Sequence, residues 1–142
     1  MHPHKAQTSV TIHASSKKVW DAITSAEITR KTLMGTNVHT DWKEGSDITW
    51  EGTYEGKSYK DKGIIQKSVP GEQLQYTYWS SMSGKEDLPE NYQLVTYQLR
   101  PEEDKTVLTL TQNNIHTEKE KEHSTENWKT VLKKLKELIE ES

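Results

Sequence analysis

"HTEKEKEHSTENWKTVLKKLKELIEES", residues 116–142, is the stretch on which the fold turns. Its apolar positions are Trp128, Val131, Leu132, Leu135, Leu138 and Ile139. They recur three and four apart, so they line one face of a helix. Lys and Glu fill the other positions as a solvated face laced with ion pairs along the helix. Thr117-x-x-Glu120 is a capping box, which predicts a helix start near residue 118. Such a stripe needs a cover. The stretch holds too few heptads for a coiled coil, so the stripe is expected to lie on a sheet from the same chain.

That sheet is written in the middle of the sequence. In "DITWEGTYEG" (47–56), Ile48, Trp50 and Tyr54 share a face and Glu55-Gly56 signals a turn. "KSYKDKGIIQKSVP" (57–70) reads as the returning strand, bulged near Gly63 because Ile64 and Ile65 are adjacent. Pro70-Gly71-Glu72 is a tight turn. "GEQLQYTYWSS" (71–81) follows as a strand with Leu74, Tyr76 and Tyr78 on one side. "SMSGKEDLPE" (81–90) is a polar loop. "NYQLVTYQLR" and "KTVLTLTQNN" form a hairpin across Pro101–Asp104, with Val95, Tyr97, Leu99, Leu108 and Leu110 on one face. Upstream, "QTSVTIHAS" (7–15) is a short strand, and Ser15 or Ser16 caps the helix after it. The compact apolar spacing Val19, Trp20, Ala22, Ile23, Ala26, Ile28 predicts two short helices broken near Thr24-Ser25 and ended by Gly35. The expected fold is α+β: a curved antiparallel sheet wrapped around one long C-terminal helix, in one domain spanning 1–142.

Composition bounds the function. Only 30% of the 142 residues are hydrophobic, and there is no Phe, so five Trp and six Tyr must supply much of the core. Tyr in a dry core is costly unless its hydroxyl finds a partner, which points to a partly hollow, wet interior. A net charge of -3 argues against nucleic acid. With no Cys there is no disulfide, thiol nucleophile or thiolate metal site, which suits a reducing cytosol. "MHPHKAQTSV" lacks the apolar run of a signal peptide, and no stretch is apolar enough to span a bilayer. The expected location is cytoplasmic.

Five pieces in order carry a resemblance over about residues 8–140: "VTIHASSKKVWDAIT", "GTNVHTDWKEGSDITWEG", "GIIQKSVPGEQLQYTYW", "VTYQLRPEEDKTVLTLTQ" and "NWKTVLKKLKELIE". Together they resemble the helix-grip fold of the START-like (SRPBCC) superfamily. More narrowly, they resemble the domain of the activator of the heat-shock-protein-90 ATPase and its single-domain homologues. The resemblance implies a cavity between sheet and helix, and in some relatives a stress-related role. It departs from the family at Thr32, Leu33 and Met34, where relatives often carry aromatics. The chaperone-binding N-terminal domain of the eukaryotic co-chaperone has no counterpart in this sequence, so chaperone activation is not carried over.

The candidate ligand-binding residues are Trp50, Tyr54, Tyr76, Tyr78, Tyr97, Trp128 and Leu132 on inward faces, with Met34 and Trp42 near the mouth. The plain alternative is a filled core whose hydroxyls bond backbone or buried water. No catalytic residue is assigned. Acid–base work needs placed carboxylates, and the lone acids Asp47 and Asp61 read as solvated surface. No metal or cofactor is expected: His2 and His4 fall on a frayed terminus, and His13, His39, His116 and His123 are scattered. There is no Gly-x-Ser-x-Gly elbow and no phosphate loop. The expected function is non-enzymatic binding of an amphipathic or hydrophobic small molecule, such as a lipid. The alternatives are a chaperone-binding stress-response module and a cavity enzyme of the cyclase or hydrolase type.

Overall fold

The computed structural model describes residues 3–33 and 35–141. Strand β1 (His4–Ile12) leads into helices α1 (Ser16–Ile23) and α2 (Ala26–Thr32). Strands β2 (Asn37–His39), β3 (Asp47–Tyr54), β4 (Lys57–Val69), β5 (Gln73–Tyr78), β6 (Gln93–Glu102) and β7 (Lys105–Ile115) follow, and helix α3 (Glu118–Glu140) closes the chain. The strands make one antiparallel sheet in the order β1-β7-β6-β5-β4-β3-β2. The sheet curves around α3, and this is the helix-grip fold.

Local chemistry sets the element ends. Ser15 Oγ accepts the Lys18 N–H and starts α1; Ser25 Oγ accepts the Ile28 N–H and starts α2. Between them Thr24 donates its hydroxyl to the Trp20 carbonyl at 2.8 Å, so the break falls at Thr24-Ser25 as read from sequence. The β3–β4 hairpin turns on Glu55 and Gly56, both at positive φ (50° and 80°), the two-residue turn that matches strand twist. Between β4 and β5, Pro70 precedes Gly71 at φ 78°, and Glu72 N–H donates to the Val69 carbonyl at 2.9 Å, a type II turn.

At α3, the Thr117 hydroxyl accepts the Glu120 N–H at 3.1 Å, so the helix begins at Glu118 as expected. Its far end is tied to β1. Lys136 Nζ donates to the Thr11 carbonyl (2.7 Å) and to Glu140 Oε2 (2.6 Å), and the His13 N–H donates to the same carboxylate (2.8 Å). Those donors, the His13 N–H foremost, hold the Glu140 carboxyl below its usual range. Replacing the cap, Thr117→Ala, should cost about 1 kcal/mol in urea unfolding, and Thr117→Ser should restore most of it.

The core lies between α3 and the inner face of the sheet. Ile12, Ile48, Ile65, Leu74, Leu108, Leu110 and Leu132 are among its most buried large side chains, with Val19 and Ile23 of α1 capping one end. Three sequence expectations need correction. β1 starts at His4, not Gln7: His4 pairs with Ile115, and its Nδ1 lies 3.3 Å from Glu118, so it is not on a frayed end. His2 lies outside the described residues. The register shift of β4 lies between Ile65 and Lys67, past Gly63. The adjacent isoleucines are resolved by parity instead: Ile65 points into the core and Ile64 outward to solvent. Finally, Tyr54 is 58% exposed, because β3 there runs beyond the part of the sheet that α3 covers. Among the described residues no helix is long and apolar enough to cross a membrane.

Candidate ligand-binding cavity

Of the strands, α3 packs most closely on β1 and then on β7, and the sheet curls away from it toward β3–β5. A cavity of about 550 Å³ opens there. Its walls come from α2, the inner faces of β3 to β7, and the first half of α3. The exposed side chains of Tyr54 and Met82 mark its rim.

One row of aromatic rings runs across this region. Tyr78 meets Trp50 edge-on at 5.1 Å between centroids, and Trp50 meets Tyr76 at 5.0 Å. Tyr76 meets Tyr97 at 6.0 Å, and Tyr97 meets Trp128 of α3 edge-on at 6.2 Å. These are the tilted and edge-to-face arrangements that ring quadrupoles favour. Trp50 is on β3, whereas Tyr76 and Tyr78 are on β5. The intervening β4 presents Asp61 opposite Trp50 and Gly63 opposite Ile48, so little bulk separates the rings.

The tyrosine hydroxyls of the row and the Trp128 indole find partners within the protein. Tyr78 donates to Asp61 Oδ2 at 2.7 Å. Asp61 Oδ1 accepts both the backbone N–H (2.9 Å) and the hydroxyl (3.2 Å) of Ser81. The Tyr76 and Tyr97 hydroxyls pair at 3.3 Å. Trp128 Nε1 donates to Gln112 Oε1 at 2.7 Å, and Gln112 Nε2 reaches Gln93. Tyr59 bonds the buried Thr36 hydroxyl at the α2 side. The absence of Phe thus has a local cause: the ring hydroxyls knit β4, β5 and β6 together around the opening.

Asp61 overturns its sequence reading. It is 7% exposed, not solvated surface, because Tyr78 and Ser81 shield and hydrogen-bond it. The parity of β4, counted back from Ile65 through Gly63, carries that signal. Asp47, in contrast, is exposed. Tyr59, Gln112 and His123 also line the cavity, and sequence reasoning did not select them.

Of the candidate residues, Trp50, Tyr54, Tyr76, Tyr78 and Trp128 border the large cavity. Trp42, Tyr97 and Leu132 border a separate cleft of about 30 Å³, the scale of a water molecule or two, which Trp50 and Tyr76 also touch. Trp42 sits there at φ 65°, a conformation that bulky side chains rarely adopt. Met34 lies outside the described residues. Among the described residues, no three His, Asp or Glu side chains are grouped to hold a metal.

Burial pushes the Tyr76 hydroxyl well above the ordinary tyrosine range, and the neighbouring Tyr97 adds to it. Burial also pushes Tyr97 up to about 12, against the lowering effect of its bond from Tyr76. Tyr78 is raised by burial first and then by the Asp61 charge. All three are therefore neutral donors at any physiological pH. A group with a raised folded pKa contributes stability that is fully present below its unfolded value and lost as pH rises through the folded one. Stability should accordingly fall as pH climbs above about 10, the ordinary tyrosine value. In an ultraviolet titration, three of the six tyrosines should resist ionisation until the fold opens.

The sheet gripping a single long helix, with an open cavity between them, defines the START-like class of proteins. Residues 13–140 match the model for Activator of Hsp90 ATPase homolog 1-like proteins, and the chain belongs to that family. It is 44% identical to protein ChR145 from Cytophaga hutchinsonii, whose solution structure superposes with a TM-score of 0.86 over 99% of this chain and 97% of that one. The Aha1 dimer from Colwellia psychrerythraea shares the fold at 20% identity, TM-score 0.75, over 95% of each chain. Protein MLL2253 from Mesorhizobium loti does so at 18% identity, TM-score 0.79, over 97% of this chain and 98% of that one. Among curated proteins no match is found.

Proposed function

We propose that this protein binds an amphipathic or hydrophobic small molecule in the cavity between the sheet and α3. The observation that carries the reading is the cavity itself. At about 550 Å³ it lies within the range of roughly 300–1,000 Å³ typical of small-molecule sites. Six Trp and Tyr rings stand in a wall that is otherwise part apolar and part polar, and two fixed hydrogen-bonded pairs border it: Tyr78–Asp61 on one side and Gln112–Trp128 on the other. Rings give area and shape, while fixed dipoles give orientation. Asp61 is a poor candidate for a general base, because three donors already hold its carboxylate.

The direct test is native mass spectrometry of protein purified from its own cells, followed by denaturation and small-molecule identification. A stoichiometric co-purified amphipath is the expected result. If the protein is free of small molecules and also takes up none of a panel of alkyl-chain amphipaths, the reading is wrong.

A further inference from the structure

The cavity has a sign. The chain carries 19 Lys and Arg, yet among the described residues none of them lines the cavity. Its ionisable lining consists of Asp61 within, Glu55 at the rim, His123 on α3, and the tyrosines. The lysines that flank Asp61 along β4 are turned to the other face. Lys60 reaches Glu51, and Lys62 reaches Asp87 and lies 5.8 Å from the outer Trp79 ring. Among the described residues, no Lys or Arg forms an ion pair with Asp61.

A buried carboxylate is costly unless paired. Asp61 is held only by neutral donors, one on Oδ2 and two on Oδ1. A carboxylate offers about four acceptor positions, so one remains, on Oδ2. The rings next to it are Tyr78, its own hydrogen-bond donor, and Trp50, its cross-strand partner. Aromatic faces beside a desolvated anion attract a cation twice over, through the ring quadrupoles and through the charge.

Resting on the cavity reading above, we infer that the ligand is an amphipath with a cationic head, an alkylammonium or a similar amine. Its head sits against the Asp61 carboxylate and the Trp50, Tyr76 and Tyr78 rings. Its apolar part is left to Leu33, Val95 and Val131, which line the same cavity. The fixed carboxylate discriminates against anionic amphipaths such as fatty acids, since two like charges would face each other in a poorly solvated space.

The test compares three probes with the same alkyl chain, decyltrimethylammonium and decanoate below their micelle concentrations and decanol below its solubility limit. Binding is read by calorimetry. The ammonium should bind about tenfold or more tightly than decanol, and decanoate most weakly. Asp61→Asn keeps the shape and one acceptor oxygen but removes the charge, so it should narrow the preference for the ammonium over decanol, leaving only the part that the rings supply. Should that variant not fold, the wild-type ranking stands alone, supported by nuclear Overhauser contacts from the N-methyl protons to the Trp50 and Tyr78 rings. Equal or tighter binding of decanol, or contacts from the head to other residues, overturns the cationic assignment while leaving the cavity reading intact. Binding of none of the three overturns both.

Discussion

Gly63→Ala is expected to yield little folded protein. A Cβ built on Gly63 would stand 1.6 Å from the Thr77 carbonyl oxygen and 2.6 Å from its carbon. The obstacle is backbone, so no rotamer change relieves it. β4 and β5 would have to part by more than an ångström. That would strain the Ile64 N–H to Thr77 hydroxyl bond (2.9 Å) and the reciprocal Lys62–Trp79 pair (3.1 and 2.9 Å). The loss should be about 4 kcal/mol or more, a large part of the stability of such a domain. Gly52→Ala is the control. The nearest atoms its Cβ would meet all belong to the Tyr59 ring and hydroxyl, at 2.5 Å to the oxygen, the far end of a movable side chain. It should fold, at a cost of about 1–2 kcal/mol for the displaced Thr36–Tyr59 bond. Circular dichroism melts of both variants make the comparison. A normally stable Gly63→Ala protein would contradict the close approach of β4 to β5.

Leu132→Ala should be the costliest single truncation on α3. Leu132 is 2% exposed and sits where the helix meets the sheet, beside Trp42 and Tyr97 in the small cleft. Truncation removes apolar contact and enlarges a space that its neighbours cannot fill. The expected loss is about 3 kcal/mol, or roughly a 10 °C drop in Tm for a chain of this size. Because Leu132 borders the cleft and not the large cavity, the folded variant should keep its ligand affinity. A change in affinity with unchanged stability would mean that cleft and cavity act as one site.

The elements with local causes were legible in the sequence. The Thr117 capping box sets the start of α3, Thr24-Ser25 breaks the first helical segment, and Pro70-Gly71 makes its turn. Each depends on chemistry within four residues. Alternation likewise placed Ile48, Trp50, Leu74 and Tyr76 inside. What failed depended on distant partners. The parity of β4 puts Asp61 on the inner face, but the partners that let a carboxylate stay there, Tyr78 and Ser81, lie 17 and 20 residues further on. Tyr54 has inward parity but escapes burial, because parity fixes a face and not how far the helix covers it. The division of the aromatic row between a large cavity and a small cleft depends on how α3 lies over the sheet, which periodicity does not determine.

Five indole N–H signals, one for each Trp, provide the most direct test of the central claim that this cavity holds an amphipath. The measurement is a nitrogen–proton correlation spectrum during titration with decanol and, separately, decyltrimethylammonium. Trp50 and Trp128 line the cavity, whereas Trp79 binds the Lys85 and Glu86 carbonyls elsewhere and Trp20 is buried in α1. With at least one of the two probes, Trp50 and Trp128 should shift along one saturable curve while Trp20 and Trp79 stay in place. If no indole signal moves with either probe, or if all five drift together without saturation, the cavity is not a binding site and the account fails.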